Sequence, residues 1–156
     1  MNIVSLANDF KEEVERAAIN SWGAMKVAVH RELYDLRGLP CLIAVSDGRE
    51  LLGYCYYRIE GDECEIMALE SLKPDMGVGS ALIKAAVDKA AGEKCRRVYL
   101  QTSNDNTRAF RFYQRRGFTI SAVRLDEFDY LRKIKPTIPL LGEDDIPLRH
   151  EIEFEL

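Results

Sequence analysis

The apolar residues change period at Lys73, and that change constrains the fold more than any other feature of the chain. Before it, short apolar runs are separated by turn signals. Cys41 to Val45 is one run, and Asp47-Gly48 marks a turn. Leu51 to Ile59 is a second run, carrying Tyr54, Tyr56 and Tyr57. Gly61-Asp62 marks another turn, and Glu65 to Leu72 is a third run. Runs of this length between Asp-Gly and Gly-Asp dipeptides predict an antiparallel meander. After Lys73 the spacing becomes helical. Val78, Leu82, Ala86 and Ala90 recur every four residues, which predicts a helix over Ser80 to Ala91, ended by Gly92.

The flanking segments extend this pattern. Ile3 to Leu6 reads as a short first strand. Phe10, Val14, Ala18 and Trp22 give one apolar face to a helix over Phe10 to Trp22, with Asp9 as cap and Gly23 as stop. Residues Ala24 to Leu39 admit a short strand followed by a helix or loop, broken at Pro40. Arg97 to Thr102 alternates as a strand. Ser103 to Asn106 offers caps for a helix to about Arg116, and Gly117 stops it. Phe118 to Arg124 is a strand, Asp126 to Lys135 a helix, and Thr137 to Leu148 a proline-punctuated connection. His150 to Leu156 alternates Ile152, Phe154 and Leu156 against acids, the pattern of an exposed terminal strand. The sum is one domain over residues 1–156, of the mixed α/β or α+β class.

Composition narrows the function classes. Of 156 residues, 47% are hydrophobic and 31% charged, which excludes a disordered chain, a coiled coil and a membrane protein. A net charge of −4 gives no general attraction to nucleic acid or anionic lipid. Cys41, Cys55, Cys64 and Cys95 form no C-x-x-C pair, so a zinc ribbon or redox dithiol is not expected, and no metal site is assigned. The first residues lack the basic n-region of a secretory signal. The expectation is a cytoplasmic protein with reduced thiols, the alternative being a disulfide framework.

Gly77-Val78-Gly79-Ser80 lies between a predicted strand and a predicted helix. Glycine lets backbone approach a ligand, and the first amides of a helix point outward toward an anion. The competing reading is a tight turn into a helix. A Walker loop needs Gly-Lys-Ser/Thr, which is absent, and a dinucleotide fingerprint needs a glycine where this chain has Leu82.

Asn106, Ala109, Phe112, Tyr113, Gly117 and Phe118 spell N-x-x-A-x-x-F-Y-x-x-x-G-F. Together with the upstream strand, G-x-G loop and helix, this resembles the GNAT superfamily of acetyl-CoA-dependent N-acetyltransferases over roughly Glu65 to Arg124. Thr102 to Asn106 and Ile146 to Arg149 resemble a poorly characterised prokaryotic branch of it. The resemblance implies a mixed central sheet, an antiparallel meander followed by a splayed parallel strand pair, flanked by helices. Glu65 to Leu72 and Cys95 to Thr102 would be that pair, with the pantetheine arm of acetyl-CoA in the gap.

The resemblance also implies site residues. Main-chain groups of Leu69, Ser71 and Leu72 would bond the pantetheine, and amides around Leu72 would polarise the thioester carbonyl. Amides of Met76, Gly77, Val78, Gly79 and Ser80 would hold the pyrophosphate. Asn106 matches the family asparagine that contacts the cofactor arm, with Phe112 in the core near it. Tyr113 matches the tyrosine that protonates the departing thiolate, the alternative being a tyrosine that only packs on Phe112. One departure stands out: the family loop begins with Gln or Arg where this chain has Pro74, followed by Asp75 and Met76. Lys73 would then supply the missing charge.

Glu70, near the end of its strand, is the candidate base. The alternatives are a solvent-facing acid or a partner of Lys73, and Glu65 is a lesser candidate. His30 and His150 read as structural or exposed, and no cysteine nucleophile is required. Trp22, Tyr34, Tyr54, Tyr56 and Tyr57 line a pocket or fill the core. The implied acceptor is a small-molecule or peptide amine. Residues Asp126 to Leu148 cap its site or form a homodimer contact. Two other readings remain: an acyl-CoA sensor without turnover, and an enzyme using a different adenine cofactor.

Overall fold

The chain is described by a computed structural model covering residues 1–156. In order it runs β1 (Asn2–Ser5), α1 (Lys11–Trp22), β2 (Lys26–Val29), β3 (Glu32–Asp35), β4 (Cys41–Val45), β5 (Leu51–Glu60) and β6 (Glu63–Ser71). It continues α2 (Val78–Gly92), β7 (Arg97–Ser103), α3 (Thr107–Gln114), β8 (Thr119–Arg124), α4 (Glu127–Ile134) and β9 (Glu151–Glu155). The residues group into two compact units. One holds Met1–Met25 and Asp35–Val98, the other Lys26–Tyr34 and Tyr99–Leu156.

In the first unit β1, β4, β5 and β6 pair antiparallel in that order, which is the expected meander with β1 added at its edge. β5 is buried from Leu51 through Tyr57, because helices cover both its faces. Successive side chains of a strand point to opposite faces. Tyr54 therefore meets Trp22 of α1, while Gly53 turns to Val78 and Leu82 of α2. Val14 and Ala18 of α1 are fully buried, as the four-residue spacing predicts. The apolar stripe Val78, Leu82, Ala86 and Ala90 is the buried face of α2, which begins two residues earlier than its spacing indicated.

β6 carries one extra residue. Tyr56 faces Ala68 and Tyr57 faces Ile66, so Met67 is a bulge. A bulge bends its strand and increases the local twist. Nothing in the alternation of Glu65 to Leu72 marks this.

In the second unit β9 lies between β7 and β8, antiparallel to both. This corrects the expectation of an exposed terminal strand, because Glu151 through Phe154 are buried. The two acids find partners instead of water. Arg124 Nη1 donates to Glu151 Oε1 at 3.2 Å. Gln101 Nε2 and Ser121 Oγ each donate to a Glu153 oxygen at 2.8 Å. The ambiguous segment resolves as the β2–β3 hairpin. Its turn residues His30 and Arg31 both take positive φ, at 53° and 58°, positions usually filled by Asn-Gly. Arg31 then reaches Glu127 of α4 at 2.9 Å, with its guanidinium over the Tyr130 ring.

The proline-punctuated connection is pinned to the segment after β7. Asn104 Nδ2 donates to Pro147 O, and Asn104 Oδ1 accepts from the amides of Arg149 and His150, all at 2.9 Å. Asp105 Oδ2 accepts from the Glu143 amide at 2.9 Å. The two segments singled out as branch-like are thus bonded to each other.

Gly53 is where the first unit is tightest. A Cβ there would lie 2.5 Å from Glu70 O and 2.7 Å from Val78 Cγ1. Gly53→Ala is expected to cost about 2 kcal/mol or more, since α2 would have to lift from β5. Urea unfolding followed by circular dichroism measures this. An unchanged midpoint would mean that the helix yields freely.

Candidate active site

The loop from Ser71 to Gly77 delivers the chain from β6 to α2. Gly77 is the residue before the helix, with φ of 72°. A Cβ at Gly77 would meet nothing within 4 Å, so glycine serves the left-handed backbone here and not a tight fit. The first intrahelical bond runs from the Ala81 amide to Gly77 O at 3.0 Å. Val78 and Gly79 stand ahead of it, so their amides have no carbonyl one turn back. They form the positive end of a 15-residue helix. Unpaired amides at such a helix start are complementary in charge to an anion.

The remaining loop residues are placed as follows. Ser71 Oγ donates to Lys73 O at 2.8 Å. Lys73 Nζ pairs with Glu50 at 2.7 Å and not with Glu70. Asp75 takes φ of 61°, and Met76 is exposed. The Leu72 amide donates to Leu52 O at 2.8 Å, so β5 occupies it. In an antiparallel ladder the backbone direction alternates. Leu69 and Ser71 consequently turn their N–H and C=O groups to the edge of β6 away from β5.

Glu70 faces Tyr54 directly across the β5–β6 ladder. Tyr54 Oη donates to Glu70 Oε2 at 2.6 Å, and Ser21 Oγ, at the end of α1, donates to Oε1 at 2.5 Å. Trp22 Nε1 donates to Tyr54 Oη at 3.1 Å. Burial, and after it the bond to Glu70, pushes the Tyr54 phenol well above its ordinary value. Tyr54, Tyr56 and Tyr57 are core residues, while Trp22 is 40% exposed. Tyr34 bonds Glu32 within its own hairpin. Ser21 was not singled out by sequence reasoning. A serine in the last turn of a helix carries no signal of its own, and only the β5–β6 register brings Glu70 to it.

Glu65 is buried and salt-bridged to Arg58 at 3.1 Å. His30 lies in the hairpin turn, and His150 Nδ1 accepts from the Asp126 amide at 2.8 Å. In the second unit Asn106 caps α3, its Oδ1 accepting from the Ala109 amide at 3.1 Å. Tyr113 is buried among Phe112, Phe118 and Phe154, with ring centroids 5.0, 5.4 and 6.0 Å away. The Arg116 guanidinium lies 3.6 Å over Phe112, which is half-buried. No group of three or more His, Cys, Asp or Glu side chains is arranged to hold a metal ion. No helix is long and apolar enough to cross a membrane.

The sequence model of the acetyltransferase (GNAT) family matches residues 7–118. The chain is 36% identical to the uncharacterized protein YdhI of Bacillus subtilis (strain 168) over 133 residues, 85% of this chain and 83% of that one. It is 31% identical to YxbD of the same organism over 152 residues, 97% and 96% of the two chains. The chain therefore belongs to the GNAT acetyltransferase family. Its fold matches that of a GNAT family acetyltransferase from Elizabethkingia anophelis, solved with acetyl-CoA bound. The TM-score is 0.72 at 16% identity, covering 99% of this chain and 96% of that one. The mixed α/β architecture is the family's, and acyl transfer is the family's chemistry.

The cysteines differ in how far they are buried. Burial pushes the Cys41 and Cys64 thiols from 9.0 up to about 12, and Cys55 higher. Cys95 is half-buried and raised less. At pH 8, Ellman's reagent is expected to label Cys95 first, and the other three only on unfolding. Unfolded thiols ionise near their ordinary value while the buried ones stay protonated. Stability should therefore fall as pH rises from about 9 toward 12. Thermal melts across that range check the sign. A flat profile, or prompt labelling of all four thiols, would contradict the burial argument.

Proposed function

We propose that the protein transfers an acetyl group from acetyl-CoA to a primary amine, by direct attack in a ternary complex. The observation that carries this reading is the start of α2. There, after the left-handed Gly77, the Val78 and Gly79 amides have no intrahelical acceptor at the positive pole of the helix. Leu69 and Ser71, with backbone groups directed away from β5, are the residues that bond the pantetheine amides. Asn106 uses Oδ1 as a helix cap and offers Nδ2 to the cofactor arm.

Acetyl-CoA supplies the acetyl group as a thioester. Glu70 takes a proton from the ammonium of the acceptor, directly or through water. The neutral nitrogen attacks the acetyl carbon, the new C–N bond forms, and the C–S bond breaks with its electron pair on sulfur. Tyr113 gives its phenolic proton to that sulfur. The second proton lost by nitrogen restores Tyr113 through solvent, and the proton on Glu70 passes to water. The acceptor is a small molecule or a peptide amine in the cytoplasm, where the four thiols remain reduced.

A second reading has its own support. Lys73 is paired with Glu50, and Pro74 replaces the cationic or amide residue of the family loop, so the phosphates gain no side-chain charge from it. An acyl-CoA sensor without turnover would tolerate this.

Calorimetry with acetyl-CoA, followed by turnover on an amine panel, separates the two. Binding with transfer is expected, and binding with no transfer to any amine favours the sensor. Gly77→Ala should raise the Kd for acetyl-CoA about tenfold, since a left-handed alanine costs about 1–2 kcal/mol and relaxing it re-aims the amides. Tyr113→Phe should lower kcat about a hundredfold. An unchanged kcat would remove Tyr113 from the acid role.

A further inference from the structure

The bonds around Glu70 have a direction that can be assigned atom by atom. An indole N–H only donates, so Tyr54 Oη accepts from Trp22. The single phenolic proton then goes to Glu70 Oε2. Ser21 Oγ donates to the other oxygen, Oε1. Each carboxylate oxygen thus holds one hydroxyl proton and retains a second lone-pair direction. The donors come from the last turn of α1 and the middle of β5, so the carboxylate plane is fixed from two elements.

Several other carboxylates of this unit are paired with cations. Glu65 has Arg58, Glu50 has Lys73, and Glu63 has Arg96 and Arg97. Glu70 is held by two neutral hydroxyls. Beside it ends α1, a 12-residue helix with no basic residue in its last turn. The C-terminal end of a helix carries its negative pole. A fixed carboxylate next to such an end is complementary to an ammonium ion. Tyr54 keeps its proton at neutral pH, since burial and Glu70 both oppose its ionisation, so it acts as a donor and not as an acid or base.

We propose that Ser21 and Tyr54 are positioning residues that aim the Glu70 carboxylate at the acceptor's ammonium group. The acceptor class is then a primary alkylamine that is cationic in solution. This deepens the acetyltransfer reading and rests on it for the role of Glu70 as base. The corner binds the cation first, and Glu70 then receives the proton whose loss makes the nitrogen nucleophilic.

Trp22 is the only tryptophan of the chain, and it is bonded into this corner, so its emission reports on it. The test titrates 1,4-diaminobutane, benzylamine and the uncharged benzyl alcohol into the full chain in the presence of coenzyme A. The amines are expected to change the emission saturably and the alcohol is not. The apparent Kd should rise about tenfold in Ser21→Ala and in Tyr54→Phe, each of which removes one hydrogen bond to a charged group. The response should vanish in Glu70→Gln. Ser21→Thr, which keeps the hydroxyl, should recover most of the affinity. If Tyr54→Phe does not fold, the Ser21→Ala and Ser21→Thr pair carries the test. Emission indifferent to both amines overturns the proposal. So does a response that survives Glu70→Gln, or equal behaviour of Ser21→Ala and Ser21→Thr. Turnover on the same amines keeps the two readings apart. Amine binding without transfer overturns the enzyme and leaves the corner standing. Transfer that ignores Ser21→Ala and Tyr54→Phe overturns the corner and leaves the enzyme.

Discussion

The close approach of α2 to β5 at Gly53 is the contact on which the first unit depends. Val78 and Leu82 sit where a side chain at Gly53 would otherwise be. That contact places the start of α2, where the anion site is proposed. On its other face the same strand presents Tyr54 to Glu70 and Trp22. One strand, buried on both faces, thus sets the height of the first amides of α2 and the orientation of the candidate base. Its neighbour β6, which carries Leu69, Glu70 and Ser71, has a bulge at Met67.

The electrostatics follow from the same frame. The positive pole of α2 is left open by glycine, which has no side chain to cap it. The negative pole of α1 lies beside a carboxylate held by hydroxyls. The two helices present opposite poles, one suited to a diphosphate and the other to an ammonium. Most of the remaining charge is matched locally, as in Glu65 with Arg58 or Glu151 with Arg124.

Much of this was legible in the residues. Four-residue spacing located α1 and the buried face of α2, and Asp-Gly and Gly-Asp marked the turns of the meander. The N-x-x-A-x-x-F-Y pattern carries the family resemblance. What was not legible has specific causes. The β2–β3 turn uses His30 and Arg31 where glycine or asparagine would have announced it. β9 read as an exposed strand because Glu151 and Glu153 resemble a solvated face, yet Arg124, Gln101 and Ser121 neutralise or bond them from β7 and β8. The bulge at Met67 has no local signature. Amides around Leu72 were expected to face the thioester, and the β5–β6 register, which the residues do not announce, directs that of Leu72 itself to Leu52. Ser21 is visible only once β5 and β6 are in register with α1.

The amides at the start of α2 are proposed to receive the diphosphate of acetyl-CoA. Amide NMR of the labelled protein during addition of acetyl-CoA tests it most directly. The account predicts that Val78 and Gly79 show the largest shifts and gain protection from exchange. Binding that leaves both amides unmoved while others shift would contradict it.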